Sequence, residues 1–211
     1  MLRLWGRTSS INVRKVLWTL QELGVPFERI DAGLAYGHNH TPDYLAKNPN
    51  ALVPMLEDGD FTLWESNAIV RYLCAKYGDP TLYPEDLRQR FDAERWMDWQ
   101  QTTLNPAGRD AFIQWIRTPA AQRNSALIAA SVAATEPLLD MLEQHLSTHP
   151  FMAGERFTMA DISVGYAVML ARQIGLEDQL TPGMQAYFDR LSQREGFRRA
   201  QAAQGGAGLG L

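Results

Sequence analysis

The sequence predicts two domains of different class, an α/β domain with a mixed sheet followed by a domain built only of helices. Strand-like and helix-like patterns alternate through residues 1–78, whereas no strand pattern recurs after residue 87. A length of 211 residues accommodates two small domains. The composition, 45% hydrophobic and 21% charged, is that of an ordinary globular protein.

The first half of the α/β domain is predicted to be a β-α-β unit. Leu2 and Leu4 alternate before a glycine, which indicates a short strand. Apolar residues then recur at the spacing of one helix face and stop before Gly24 and Pro26. These apolar residues are Val13, Val16, Leu17 and Leu20. A second strand-like stretch covers residues 27–31, and a crossover through the helix makes the two strands parallel.

The second half of this domain ends in a hairpin and a helix. A polar loop at residues 33–39 leads to a short helical segment at 42–47. Asp58-Gly59 between two apolar runs is a strong hairpin signal, and Ile69, Leu73 and Tyr77 mark a last helix. The order β-α-β-α-β-β-α, with a mixed four-stranded sheet, is that of a thioredoxin-like domain. We assign residues 1–78 to it and residues 79–86, which contain two prolines, to a linker.

Residues 87–204 are predicted to form an all-helical domain. The sequence Asn105-Pro106-Ala107-Gly108 is expected to interrupt or bend its first long helix, and Pro137 to kink or divide the second. The motif Thr158-x-x-Asp161 is typical of a capping box. The following stretch, residues 162–176, is apolar on nearly all sides, which predicts a buried helix. Residues 205–211 are expected to be a mobile tail.

Charge and cysteine content exclude several classes of function. The net charge of −4 and a pI near 5.6 give no basic surface for nucleic acid. We find no signal peptide and no run of about 18 apolar residues, so neither secretion nor a membrane is expected. The single cysteine, Cys74, fits a reducing compartment, and the four histidines lack metal-site spacing. The sequence therefore predicts a cytoplasmic protein without a metal.

Three segments of the first domain are candidates for chemistry. Ser10 and Asn12 lie where the first strand joins the first helix, and each is a good N-cap residue. A helix N-terminus also favours a bound anion, and a thiolate there would have a lowered pKa. Glu65 and Ser66 raise the same alternative at the last helix, where they suit the ammonium and carboxylate of an amino acid. Between them, a cis Val53-Pro54 bond would offer the backbone of Val53 to an extended peptide.

Taken in order, these motifs resemble those of the soluble glutathione transferase family. The resemblance rests on three segments of the first domain and on the Thr158-x-x-Asp161 box of the second. The three segments are Ser10-x-Asn12, Asn48-Pro49-Asn50-Ala51-Leu52-Val53-Pro54 and Glu65-Ser66-Asn67-Ala68-Ile69. It covers nearly the whole chain and, within the family, points to bacterial theta-like and beta-like members of the serine type.

The resemblance implies a role for each glutathione contact. Ser10 would be the catalytic residue that hydrogen-bonds the glutathione sulfur, and Asn12 would be a second contact. Ser9 is an alternative hydroxyl. Val53 would pair through its backbone with the cysteinyl unit, next to the family's cis-proline at Pro54.

The two ends of glutathione would have separate contacts. Glu65 and Ser66 match the residues that hold the γ-glutamyl group, and Asn39 matches an amide near the glycyl carboxylate. Many relatives have Gly-Lys before Val-Pro, where this chain has Ala51-Leu52, so His40 or Lys47 is the expected substitute for that lysine.

The resemblance also implies the reaction and the assembly. The protein is expected to conjugate glutathione, its co-substrate, to electrophilic and largely apolar compounds. Arg109, Phe112 and Trp115 are the predicted residues of the second-substrate pocket. Peroxidase or disulfide-reductase activity at the same site, or a non-catalytic glutathione-binding protein, are the alternatives. A homodimer is expected.

Overall fold

A four-stranded sheet with the order β2-β1-β3-β4 forms the centre of the first unit in this computed structural model, which describes residues 1–171 and 181–202. The strands are β1 (Leu2–Trp5), β2 (Phe27–Ile30), β3 (Met55–Asp58) and β4 (Phe61–Trp64). β1 pairs in parallel with β2 and antiparallel with β3, and β3 pairs antiparallel with β4. The predicted mixed sheet is confirmed, and so is the hairpin after Asp58, where Gly59 has a φ of 65°.

The helices within residues 1–79 begin and end close to the predicted positions. They are α1 (Ile11–Leu23), α2 (Pro42–Lys47) and α3 (Ser66–Tyr77), with a short 3-10 turn at Leu34–Tyr36. The predicted apolar face of α1 is buried. α1 ends at Gly24, whose left-handed φ of 63° is the conformation that glycine adopts at little cost.

The second unit, residues 80–193, contains only helices among its described residues. They are α4 (Leu87–Trp99), α5 (Asn105–Phe112), α6 (Ser125–Leu146), α7 (Met159–Ala171) and α8 (Pro182–Ser192). Two π-helical turns, Gln100–Leu104 and Ile113–Arg117, flank α5. α4 and α5 are continuous, joined by the first π turn. This turn changes the backbone hydrogen-bond pattern just before Pro106, which has no N–H to donate, so the helix continues past the proline.

α6 is a single helix, so of the two effects predicted for Pro137, a kink or a division, the division was wrong. Pro137 and Ala133 are both exposed, so water can satisfy the Ala133 carbonyl that the proline leaves without an N–H. By length and composition alone this helix could span a membrane, with a mean hydropathy of 1.3 over its most apolar window. Its buried residues follow one face, which packs on α5 and α8 as in a globular domain.

The predicted capping box opens α7. The Asp161 carboxylate accepts the Thr158 N–H at 2.8 Å, and the Thr158 hydroxyl accepts the Ala160 N–H at 3.3 Å. α7 is almost wholly buried up to Ala171, as expected. The rest of the predicted helix, residues 172–176, and the tail 205–211 lie outside the described residues.

The last described helix, α9 (Glu195–Ala202), corrects the expected domain boundary. We expected residues 87–204 to form one helical domain, but Arg194 and α9 belong to the unit formed by Met1–Asp79. α9 packs on α1, where Phe197 meets the Trp18 ring edge-to-face at 4.9 Å and Arg194 pairs with Glu22. A short amphipathic helix does not specify which of two apolar surfaces it covers, so the sequence did not reveal this placement.

Candidate active site

The register of the sheet brings four chain segments to one end of it. Trp5 ends β1 beside Ile30, the last residue of β2, and opposite Met55, the first residue of β3. Met55 in turn lies opposite Trp64, the last residue of β4. The loops after β1, β2 and β4 and the segment before β3 therefore leave the sheet at the same end. All three predicted site segments of this domain are among them.

The turn between β1 and α1 holds Ser10 in a fixed backbone geometry. Its carbonyl accepts the Arg14 N–H at 3.0 Å, and the Arg14 guanidinium donates to the Thr8 carbonyl at 2.7 Å. Ser10 is the N-cap residue of α1, with φ −88° and ψ 122°, but its hydroxyl makes no capping hydrogen bond. The simple capping interpretation therefore does not account for this hydroxyl.

Asn12 lies in the first turn of α1, two residues after Ser10. Its amide oxygen is buried, and no residue in the described part of the chain donates a hydrogen bond to it. A buried acceptor without a partner costs about 1–3 kcal/mol. A ligand that brings a donor to this turn would recover part of that free energy.

Gly6 lets the β1–α1 turn approach the segment before β3. A Cβ atom on Gly6 would overlap the side chain of Val13 and would lie 3.4 Å from the Cβ of Val53. Its φ of 154° is also unfavourable for other residues. Glycine here places the Ser10 turn directly beside Val53.

The Val53-Pro54 peptide bond is cis, as the resemblance implied. Among the described residues, neither the N–H nor the C=O of Val53 has a hydrogen-bond partner. The carbonyls of the two preceding residues, Ala51 and Leu52, by contrast both accept side-chain hydrogen bonds. Val53 thus presents a free donor and a free acceptor at the end of the sheet, the arrangement that an extended peptide pairs with.

Side-chain donors hold the loop that precedes Val53. The Tyr44 hydroxyl and the Asn48 amide donate to the Leu52 carbonyl at 2.6 and 2.9 Å. The Asn39 amide donates to the Ala51 carbonyl at 2.6 Å. Burial raises the pKa of Tyr44 to about 12, so its hydroxyl remains a donor at neutral pH. These bonds fix the direction of the Val53 backbone.

The third segment begins α3. Glu65 is exposed and has a φ of 74°, a left-handed conformation that costs a non-glycine residue about 1–3 kcal/mol. Ser66 is buried, and within the described residues its hydroxyl has no side-chain or loop partner. Strain of this kind is retained where the surrounding structure requires a particular side-chain direction.

Two helices that begin at this end of the sheet, α1 and α3, lack a cap from the side chain of the N-cap residue, as α5 and α8 of the helical unit also do. α2, α4 and α6 each receive a side-chain cap, from Thr41, Asp86 and Asn124. α1 and α3 receive none and carry no acidic residue in the first turn. Their first N–H groups and positive dipole ends are therefore left for an anion.

The predicted contacts for the glycyl end are less free than expected. The amide nitrogen of Asn39 is already bonded to Ala51, and Lys47 forms an ion pair with Glu57. His40 is exposed, and Leu52, at the position of the missing lysine, has 64% of its surface exposed. A role for Asn39, His40 or Lys47 in binding stays a prediction.

The three residues predicted for the second-substrate pocket lie on α5 and the π turn that follows it. Arg109 is exposed, Phe112 is half-buried, and Trp115 is 38% exposed. Arginine side chains cover both rings, with Arg117 5.0 Å from Phe112 and Arg123 4.7 Å from Trp115. The assignment of this pocket stays a prediction.

Two further groups bear on the chemistry. Cys74 is buried in α3, and burial raises the pKa of its thiol to about 12, so it is no nucleophile at neutral pH. Lys15, which the sequence reasoning missed, is buried in α1 and donates to the Asn67 side chain at 3.2 Å. The sequence of α1 does not predict this burial, because α3 and α9, which pack on α1, lie far from it in the chain. No group of three or more potential metal ligands occurs in residues 1–171 and 181–202.

Comparison with known proteins agrees with this geometry. The family model for the glutathione S-transferase N-terminal domain matches residues 1–75, and that for the C-terminal domain matches residues 125–190. The glutathione S-transferase GstB of Escherichia coli K12 is 41% identical over 94% of this chain and 97% of its own length. A theta class glutathione S-transferase from Xanthomonas axonopodis pv. citri, crystallised with glutathione bound, is 41% identical, with a TM-score of 0.86 over 94% of this chain and 96% of that one. Glutathione transferase F2 of Populus trichocarpa is 27% identical, with a TM-score of 0.90 over 98% of this chain and all of that one.

The fold and the site define an enzyme of the thioredoxin-like class that carries an additional helical domain. The free Val53 backbone and two uncapped helix N-termini meet at one end of its sheet. At this level of identity and coverage, the chain belongs to the glutathione S-transferase family.

Proposed function

We propose that this protein binds reduced glutathione at the end of the sheet, lowers the pKa of its thiol and transfers the thiolate to an electrophilic, largely apolar compound. The observation that carries the proposal is the unpaired peptide group of Val53 beside two helix N-termini that lack side-chain caps. Glutathione is an extended peptide with an anionic group at each end and a thiol between them. The unpaired Val53 backbone suits the peptide, and the two helix N-termini suit the thiolate and the γ-glutamyl carboxylate.

Ser10 is the residue proposed to act on the sulfur. Its hydroxyl is not used to cap α1, and it lies at the positive end of that helix. A free thiol with a pKa of about 8.5 is only about 3% ionised at pH 7. A fall of about two pKa units, which corresponds to about 2.7 kcal/mol, would make most of it thiolate. A hydroxyl donor and the helix dipole together are of a size to supply this.

The remaining contacts hold the peptide. Val53 pairs with the cysteinyl unit, and Glu65 with Ser66 holds the ammonium and carboxylate of the γ-glutamyl group. Asn12 is a second contact near the sulfur, to which its amide nitrogen could donate, and its unpartnered buried oxygen is an acceptor for an N–H of the bound peptide. Pro54 fixes the direction of Val53, and Asn39 supports the same loop through Ala51.

The proposal includes a second-substrate pocket, a homodimer and a cytoplasmic location. The half-buried ring of Phe112 and the exposed ring of Trp115 support a pocket on the helical unit, and Arg109 lies one helical turn before Phe112 on α5. Large exposed apolar side chains such as Phe61 and Phe91 support self-association, which light scattering of the purified protein would test. The family relationship supports the pocket, the homodimer and the cytoplasmic location.

The test is a steady-state panel with glutathione and three second substrates, a chlorodinitroarene, an organic hydroperoxide and a mixed disulfide. We expect conjugation to dominate, and Ser10→Ala to lower kcat/KM by about tenfold or more while raising the pKa of the pH–rate profile. Ser9→Ala, which removes the neighbouring hydroxyl, is the matched control and should behave as wild type.

The outcomes separate the alternatives. Full conjugating activity in Ser10→Ala would remove Ser10 from its role. A larger loss in Asn12→Ala, with activity mainly towards the hydroperoxide or the disulfide, would favour the reductive function. Calorimetric binding of glutathione without turnover of any substrate would favour a non-catalytic binding protein, and absence of binding would refute the proposal.

A further inference from the structure

Lys15 is among the largest fully buried side chains of this protein, with 1% of its surface exposed. Lysine is almost never fully buried without a partner, because the ammonium loses its hydration. The residue lies on the part of α1 that follows the Ser10 turn, one helical turn from the site. Its burial therefore calls for a reason connected with its neighbours.

Two residues at the start of α3, Glu65 and Asn67, interact with Lys15. Its Nζ donates to the side-chain oxygen of Asn67 at 3.2 Å, a buried hydrogen bond between residues 52 positions apart. The bond ties α1 to the first turn of α3, and the two helices pack together. Burial lowers the pKa of Lys15 to about 7, and the charge of Glu65 acts in the opposite direction. Lys15 thus interacts with residues on both sides of Ser66.

The turn that Lys15 holds is a strained one. Glu65 has a φ of 74°, and no side chain caps the helix that follows it. A strained turn without a cap relaxes unless another contact restrains it. The bond from Lys15 to Asn67 is such a restraint, because it anchors the first turn of α3 to a buried residue of α1.

We propose that Lys15 is a positioning residue, which holds the first turn of α3 so that Glu65 and Ser66 can receive the γ-glutamyl end of glutathione. The inference rests on the proposed function. Lys15 is buried behind the turn and acts through Asn67, so it need not touch the ligand. Its loss should weaken binding at the γ-glutamyl end and leave the second-substrate site unchanged.

The test compares Lys15→Met, Lys15→Arg and the matched control Lys76→Met. Methionine keeps the length and apolar stem of lysine but removes the donor, whereas Lys76 is an exposed lysine on α3 that pairs with Asp58. Calorimetry with S-hexylglutathione measures ligand binding independently of thiol ionisation. Steady-state kinetics with a chlorodinitroarene give KM for each substrate.

We expect Lys15→Met to weaken binding of S-hexylglutathione and to raise the KM for glutathione by about tenfold, the range of one lost buried hydrogen bond. The KM for the chlorodinitroarene should change by less than about twofold, since this substrate does not use the turn. Lys15→Arg should restore part of the affinity, and Lys76→Met should bind as wild type.

A double-mutant cycle with Ser66→Ala separates positioning from general stability. If Lys15 acts through the turn, Lys15→Met should cost much less affinity in the Ser66→Ala background than in wild type. If Lys15→Met does not fold, Asn67→Ala provides the same test, because it removes the other partner of the bond. Fully additive losses, or unchanged affinity in both Lys15→Met and Asn67→Ala, would overturn the inference alone. Failure of the wild type to bind S-hexylglutathione would overturn the proposed function with it.

Discussion

The buried carboxylate of Asp161 offers the most quantitative test of how the helical unit is held together. Asp161 accepts hydrogen bonds from the Met152 N–H and the Thr158 N–H, both at 2.8 Å, and from the Tyr187 hydroxyl at 2.9 Å. It joins the start of α7 to the preceding loop and to α8. We therefore predict that Asp161→Ala destabilises the protein severely without touching the glutathione site.

The expected magnitude follows from these contacts. Asp161→Ala removes the acceptor of these three donors and of the Thr158 hydroxyl, which donates at 3.4 Å, and each lost bond costs about 1–3 kcal/mol. Against this, burial raises the pKa of Asp161 from 3.8 to about 6, so the ionised carboxylate costs about 3 kcal/mol at neutral pH. At about 2 kcal/mol for each of these three or four donors, the losses exceed this relief by about 3–5 kcal/mol, which is the expected fall in the free energy of unfolding.

The pH dependence gives an independent check. The pKa of Asp161 is higher in the folded chain than in the unfolded chain, so the folded chain binds more protons between about pH 4 and pH 6. The contribution of this group to stability therefore rises as the pH falls through that window. Asp161→Asn cannot gain a proton. The free energy of unfolding of wild type minus that of Asp161→Asn should therefore rise on acidification by up to about 3 kcal/mol.

Urea denaturation followed by tryptophan fluorescence and circular dichroism, at pH 7 and at pH 4.5, measures both effects. Asp110→Ala, which removes an exposed carboxylate of α5, is the matched control and should change stability by less than about 0.5 kcal/mol. Wild-type stability in Asp161→Ala, or a difference from Asp161→Asn that shrinks on acidification, would refute this reasoning.

Three further predictions concern other buried contacts. Gly196→Ala should destabilise the protein by about 1–3 kcal/mol in urea denaturation, because the new Cβ would lie 2.6 Å from the Cα and 2.8 Å from the backbone nitrogen of Glu22. Unchanged stability would show that α9 can shift on α1 to accommodate the new atom. Cys74 should not react with a thiol reagent at pH 8 until denaturant is added, because its pKa is raised to about 12, and rapid labelling of the native protein would contradict its burial. Glu143→Ala should lower the free energy of unfolding by about 1–3 kcal/mol, because Glu143 accepts hydrogen bonds from the N–H groups of Gly183 and Met184 at the start of α8, at 3.3 and 3.2 Å. Unchanged hydrogen exchange of those two amides in the variant would argue against this.

Local patterns were sufficient to predict most elements of the fold. The spacing of apolar residues in α1, the Asp58-Gly59 turn and the capping box at Thr158 each depend on residues close in the chain, and the structure confirms all three. The sequence-based prediction failed where the effect of a residue depends on its exposure or on distant contacts. Pro137 breaks a helical hydrogen bond but not the helix, because the freed Ala133 carbonyl belongs to an exposed residue.

The sequence by itself determined the order of the elements, the family resemblance and the residue types that suit a thiol-bearing peptide. Only the tertiary structure decided that the Val53 peptide is unpaired, that the Ser10 hydroxyl is not used to cap its helix, and that Lys15 is buried against Asn67. It also decided that α9 packs on α1 and not with the helical unit. The Lys15–Asn67 bond and the α1–α9 packing join segments distant in the chain, and the lack of a partner at Val53 and Ser10 depends on where the neighbouring segments lie. A hydrogen-bond partner or an apolar cover supplied from 50 or more residues away leaves no local periodicity, so it appears only once the sheet register and helix packing bring the segments together.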